Sequence, residues 1–287
     1  MKNKSYISFI ASMLVFGTIG IFRRYIPLTS GLLAALRGFM GAAFITLYVK
    51  LRGGTLRHGI GRRNFLLTVL SGGLIGFNWI LLFEAYNYTS VSVATLCYYM
   101  EPTIVILLSP VFLGEKLTGK KLLCALIAVI GMALVAGLAD GEGATQGEIK
   151  GVLFGLGAAA FYSAVVILNK KIVIEDAYEK TAIQLFSAAV ILLPYLALTG
   201  ELTFTRLDTL PLIMLIIVGV VHTGICYTLY FGSMKNLSAQ SVALLSYIDP
   251  VSAMLLSALI LHESMSVWGV IGAVMIIGAA IVSDTGN

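Results

Sequence analysis

Charge is what this chain has least of. Only 11% of its 287 residues are Asp, Glu, Lys or Arg, while 59% are hydrophobic and the mean hydropathy is +0.96. A soluble domain carries roughly 25% charged residues, so the deficit excludes a soluble globular protein and implies an integral membrane protein. Cysteine is also sparse. Cys97, Cys124 and Cys226 all sit in apolar runs without paired metal spacing, which argues against a disulfide framework or a zinc site and makes them small buried hydrophobes. The chain lacks His-Glu-x-x-His, Gly-x-Ser-x-Gly and a Walker phosphate loop, so an intramembrane enzyme has no motif behind it and no cofactor is expected. No polar stretch is long enough to be an inserted soluble domain.

What the chain does have is apolar runs of spanning length. A membrane helix needs about 20 mainly apolar residues, and cutting at charged or Gly/Pro-containing breaks gives ten runs: 5–22, 30–51, 64–86, 90–113, 119–138, 148–169, 180–198, 208–231, 238–261 and 265–283. Lys2 and Lys4 precede the first run, which is longer than a signal-peptide core and lacks a small-x-small cleavage pattern, so it reads as the first span. Basic residues set the orientation. With the N-terminus in the cytoplasm, fourteen fall inside: Lys2, Lys4, Lys50, Arg52, Arg57, Arg62, Arg63, Lys116, Lys120, Lys121, Lys170, Lys171, Lys180 and Lys235. Four fall outside: Arg23, Arg24, Lys150 and Arg206. Both termini are therefore expected in the cytoplasm, at the cell membrane. The net charge of +5 is that cytoplasmic anchor, and no nucleic-acid partner is implied.

The chain also repeats itself. Leu96-Cys97-Tyr98-Tyr99-Met100-Glu101-Pro102 returns 148 positions later as Leu244-Leu245-Ser246-Tyr247-Ile248-Asp249-Pro250. The same shift pairs Leu107 with Leu255, Leu108 with Leu256, Ser109 with Ser257, Leu113 with Leu261, Glu115 with Glu263, Gly76 with Gly224, Leu81 with Leu229 and Phe83 with Phe231. The expected units are 1–138 and 148–283. Five spans are an odd number, so the copies cross the membrane in opposite senses. Two inverted five-helix repeats are an architecture of alternating access, with a site near the midplane; duplication without mechanistic meaning is the plainer alternative.

Each copy sets a carboxylate before a proline, Glu101-Pro102 and Asp249-Pro250, halfway along an apolar run. A charged side chain there costs about 2.5–3.5 kcal/mol and is a functional candidate by default. A helical proline frees a carbonyl, here that of Tyr98 or Ser246, and bends the helix. Pro102 and Pro250 are thus expected as gating hinges, and the acids as a site for a cation or proton; neutral packing is the bland reading. Arg37, Glu84 and His222 share apolar runs. An Arg37–Glu84 ion pair fits the topology, and His222 is either a proton relay or a hydrogen-bonded core residue. Asn78, Trp79, Tyr98, Tyr99, Tyr162, Tyr227 and Tyr247 furnish an aromatic cavity for a small amphipathic or cationic ligand, though Tyr and Trp also populate membrane interfaces. Trp268 looks like an interface anchor. Gly131, Gly137, Gly269, Gly272 and Gly278 suggest close helix packing.

Pro102 followed by Leu113-Gly114-Glu115-Lys116-Leu117 and a Gly-containing closing helix recurs as Pro250, Leu261-His262-Glu263-Ser264-Met265 and its own closing helix. This duplicated pattern, over essentially the whole chain, resembles the EamA-type drug/metabolite transporters. The resemblance implies a ten-helix metabolite carrier in which four helices of each unit surround the path and the fifth packs outside. It gives the Glu at positions 115 and 263 a structural role. Relatives often have a small or neutral residue where this chain has Glu101, which tilts the expected substrate toward cations. The expected function is a secondary transporter of a small amine or amino-acid-like metabolite, with proton-coupled exchange, working as a monomer or weak dimer in the lipid bilayer. A channel or lipid-handling scaffold is the alternative from another class, and an enzyme is the weakest.

Overall fold

The computed structural model describes residues 2–23, 25–53, 60–88, 97–135, 149–174, 176–202, 207–260 and 267–284. Leu96, Arg24, Arg57, Arg206, Gly137, the Ala139–Gly147 link with the expected boundary between units, and the stretch Leu261-His262-Glu263-Ser264-Met265 lie outside the described residues. The described chain is all helix. In order come α1 (Lys2–Phe16), α2 (Ile19–Arg23), α3 (Ser30–Leu51), α4 (Arg62–Tyr88), α5 (Glu101–Leu113), α6 (Gly119–Val135), α7 (Ile149–Lys171) and α8 (Ala177–Thr199). Next, α9 (Thr209–Ile217), a π-helical segment (Val218–Ile225) and α10 (Cys226–Met234) form one rod, followed by α11 (Ala239–Ser246), α12 (Ile248–Ile260) and α13 (Val267–Asp284).

Among the described residues, five helices are long and apolar enough to cross a membrane: Ser30–Leu51, Arg62–Leu82, Ile149–Lys171, Ala177–Thr199 and Thr209–Met234. Glu101–Leu113 and Val267–Ala279 are shorter and apolar. Local chemistry sets the ends. Thr29 caps α3 by accepting from the Leu32 N–H at 3.3 Å, and Asp176 caps α8 by accepting from the Tyr178 N–H at 2.8 Å. Gly114 (φ +69°) and Gly200 (φ +71°) close α5 and α8 in the left-handed region, where a side chain would be strained.

Three runs expected as continuous helices are interrupted. The first breaks at Gly17-Thr18, where the Thr18 hydroxyl donates to the Val15 carbonyl at 2.7 Å and so competes with the helix for its own backbone. The fourth turns at Tyr99-Met100, and α5 starts afresh at Glu101. The ninth splits at Tyr247. Pro102 and Pro250 stand in the first turn after each break, where a missing N–H removes no bond, and the residues at the breaks, Met100 (φ −70°, ψ −13°) and Tyr247 (φ −68°, ψ −9°), stay in the right-handed region. The eighth run holds together but widens into π geometry, and within it Thr223 donates its hydroxyl to Val218, five residues back, at 2.8 Å.

Packing brings the separate parts of the chain together. α4 lies against α7 and α8, α3 against α8 and the π-helical segment, α1 against α10 and α12, and α5 against α7 and α11. α6 and α13 pack chiefly on each other. Close approach depends on glycine. A Cβ on Gly72 would lie 2.4 Å from the Gln184 carbonyl oxygen, and one on Gly131 2.8 Å from that of Gly272, whereas Gly278 has nothing within 4 Å and does not pack as expected. A buried amide knot pins α4, α7 and α8: Gln184 Nε2 donates to Ser71 Oγ at 2.7 Å and to Asn169 Oδ1 at 3.2 Å. Adding 148 to α3 gives 178–199, beside α8 at Ala177–Thr199; adding it to α6 gives 267–283, beside α13 at Val267–Asp284.

Gly72→Val should push α4 off α8 and lower the thermal unfolding midpoint of the purified protein by several degrees, reflecting about 1–3 kcal/mol of overpacking. Gly278→Ala, which meets open space, should not lower it.

Candidate functional site

Glu101 is the first residue of α5 and Asp249 the second of α12, so each acid follows a break in its run. Glu101 is 4% exposed, and its Oε1 is buried with no hydrogen-bond partner. Asp249 is half-buried. Tyr98 lies within electrostatic reach of both carboxylates and of Tyr227 and Tyr230, which places the two acids around one space. The breaks make this geometry available: in an unbroken helix the backbone at Tyr99 would be spent on the helix itself.

The tyrosines of the motif serve the opposite acids. Tyr99 pairs through its side chain with Asp249, and Tyr247 lies within electrostatic reach of Glu101. Tyr247 also donates its hydroxyl to the Tyr99 carbonyl at 3.1 Å and, its proton being used there, accepts from Thr103 Oγ1 at 3.2 Å. The carbonyl engaged at the first break is thus that of Tyr99, whereas a bent helix was expected to free that of Tyr98. Ser163 of α7 donates to the Glu101 carbonyl at 3.2 Å, and Ser252 of α12 reaches the Met13 carbonyl of α1 at 3.5 Å.

A positive pole stands nearby. The Arg37 guanidinium lies 4.6 Å over the Trp79 ring, in cation–π geometry, and its Nε is buried without a partner. Tyr227 interacts with Arg37 and Trp79 and is within electrostatic reach of Asp249; it thereby joins the cationic and acidic sides. The Trp79 and Tyr227 rings meet edge-on at 6.4 Å.

Other sequence candidates lie elsewhere. The Arg37–Glu84 ion pair does not form: Glu84 Oε1 accepts from Tyr195 Oη at 2.5 Å, in a separate pocket of about 210 Å³ shared with Thr29, Ser30 and Glu201. His222 Nε2 is 2.7 Å from Thr18 Oγ1, and the ring lies 4.9 Å from that of Phe22; its charged neighbour is Arg37 rather than a carboxylate. Asn78 donates to the Ala158 carbonyl at 2.7 Å, tying α4 to α7. Trp268 is 48% exposed.

Sequence reasoning missed Tyr230. It is 1% exposed, stacks on Tyr162 with centroids 6.5 Å apart and lies within electrostatic reach of Glu101. Beside Tyr162 and Ser246, its hydroxyl makes no hydrogen bond of acceptable geometry. The available signal was its spacing of three from Tyr227, which puts both on one helix face.

Tyr247→Phe should leave the Tyr99 carbonyl unpaired and lower stability by about 1–3 kcal/mol, read by thermal unfolding. Tyr25→Phe, at a residue 46% exposed, should leave the midpoint where it is.

This helical frame has known counterparts. An uncharacterized transporter, YxxF, of Bacillus subtilis (strain 168) is 30% identical over 96% of this chain and 88% of its own. The protein RarD of Escherichia coli (strain K12) is 28% identical over 67% of this chain and 62% of its own. One crystal structure superposes at a TM-score of 0.84 over 98% of this chain and 96% of that one, at 22% identity, and so shares the fold. The model of the EamA-like transporter family matches twice, over residues 3–137 and 149–283. The chain belongs to the EamA-like transporter family and is a membrane transporter.

Proposed function

We propose that the protein is a secondary transporter of a small organic metabolite bearing a cationic amine, either a simple amine or an amino-acid-like compound, and that Glu101 and Asp249 bind that cation or a proton in exchange for it. The single observation that carries this reading is the reciprocal arrangement of tyrosines and acids around an unpartnered Glu101 Oε1. A buried carboxylate oxygen without a donor is costly unless something neutralises it, and a cation or proton that comes and goes meets that need. Competition between the two for the same carboxylates yields exchange by linkage alone.

The proposed frame is ten spans in two inverted units, 1–138 and 148–283, with both termini in the cytoplasm. Two contacts support the inversion. Tyr99 and Tyr247, 148 residues apart, touch each other, and so do Trp79 and Tyr227, related by the same shift. A residue meets its own repeat mate only close to an axis relating the copies. The acids flank that axis, where alternating access needs its site. The rings and hydroxyls of Tyr98, Tyr99, Tyr162, Tyr227, Tyr230 and Tyr247 lie around the acids and suit an amphipathic cation.

Reconstituted in liposomes with an imposed pH gradient, the protein should drive saturable uptake of an amine, found by thermal-shift screening of amines and amino acids. Asp249→Asn and Glu101→Gln should each reduce uptake at least tenfold. Full uptake by both variants would remove the proposed role, and ionic current without counter-transport would indicate a channel. Cysteines substituted at Lys50 and Lys235 should label only from the cytoplasmic side; labelling from outside would reverse the orientation.

A further inference from the structure

The Glu115 carboxylate caps a helix that belongs to the other end of the chain. Its Oε1 accepts from the Ala239 N–H at 2.7 Å and its Oε2 from the Gln240 N–H at 3.3 Å, the first two N–H groups of α11. Such groups have no partner within their own helix, and a carboxylate is the anion best suited to them. Ser238, the residue before α11, caps it from within by accepting from the Ser241 N–H at 3.0 Å. Glu115 thus holds what the local cap leaves open.

Its backbone is fixed as well. The Gly114 and Glu115 N–H groups both bond the Ser109 carbonyl in a left-handed helix ending, and Gln240 Nε2 donates to Ser109 Oγ at 2.7 Å, with both residues fully buried. The turn preceding α11 is held from two further sides. Lys170 of α7 donates its ammonium to the Met234 carbonyl at 2.9 Å and also to that of Leu237, and Asn236 donates to Ser5 Oγ of α1 at 2.8 Å. Lys170 is within electrostatic reach of Glu115.

All four tethers are polar or ionic. They fix the N-terminal end of α11, whose eight residues are all buried, so releasing that end means giving up these hydrogen bonds together, the charge-assisted pair of Glu115 among them. The tethered helix leads directly to the site: α11 runs from Ala239 to Ser246 and is followed by Tyr247 and Asp249. Withdrawing its N-terminus would draw the Tyr247 hydroxyl off the Tyr99 carbonyl and move Asp249 relative to Tyr99.

We propose that Glu115 is the latch of a gate at the lysine-rich end of the helix assembly, holding α11 shut in this conformation and releasing it when the transporter opens on that side. Glu115 is then a positioning residue, acting through α11. The idea rests on the alternating-access reading above, and it assigns to Glu115 a switching role where the family resemblance implied only a structural one.

The test needs no substrate. Spin labels at Lys116→Cys and Lys235→Cys, both exposed, report the distance across the latch by pulsed electron resonance; the native cysteines are buried and remain in place. Glu115→Gln should raise the population at the longer distance about tenfold, the scale of one charge-assisted bond lost, and Glu115→Ala further. Asp176→Ala removes a cap of the same kind from α8 and serves as the structural control: it should lower the unfolding midpoint without changing the distances. Unchanged distances in both Glu115 variants, or the same redistribution in Asp176→Ala, would overturn the latch. Because the readout is conformational, its failure leaves the substrate reading intact, and loss of the carboxylate effect on uptake leaves the latch intact.

Discussion

A helix broken inside an apolar run leaves backbone groups that lipid cannot satisfy, and non-helical backbone at that depth persists only where protein takes over the hydrogen bonds. In this molecule the Tyr247 hydroxyl, from the far end of the chain, takes the Tyr99 carbonyl. Much else follows from that contact. It permits the break before Glu101, which turns a carboxylate that would sit midway along a helix into one at a helix start, where the dipole favours negative charge. It also joins the two motifs directly, so that the site and the chain's internal repetition meet at one place.

Around this junction the sequence repeats at some positions and not at others. The acids, Tyr99 with Tyr247, and Trp79 with Tyr227 follow the 148-residue shift, but Arg37 corresponds to Leu185, Tyr98 to Ser246 and Tyr230 to Leu82. Under the proposed alternating access, equivalent backbones would keep opposite-facing states close in energy. The unequal side chains set a cation on one side of Tyr227, where Arg37 lies over Trp79, and the acid Asp249 within its electrostatic reach on the other.

Much of the fold was legible because lipid imposes simple rules: low charge, runs of spanning length and glycine at close crossings. The 148-residue echo was legible too, since it depends on counting alone. The breaks were not. Sequence places proline inside the fourth and ninth runs, and either a bend or a new start satisfies proline; only the packing of Tyr247 on the first unit decides for a new start. Glu84 was misjudged for a related reason. Its partner, Tyr195, is 111 residues away, and nothing in the local pattern distinguishes it from Arg37. Glu115 was assigned its place by resemblance, but the two N–H groups it holds, 124 and 125 residues on, are visible only in three dimensions.

The central claim is that a cationic passenger neutralises Glu101 and Asp249 beside Trp79. The chain has two tryptophans, so Trp268→Phe leaves Trp79 as the sole indole reporter in the site. Titrating that protein with a panel of alkyl and aryl amines while recording its fluorescence is the most direct measurement. The account predicts a saturable change for at least one amine, abolished when Glu101→Gln and Asp249→Asn are combined. A saturable change of the same amplitude and midpoint in the combined variant would contradict it.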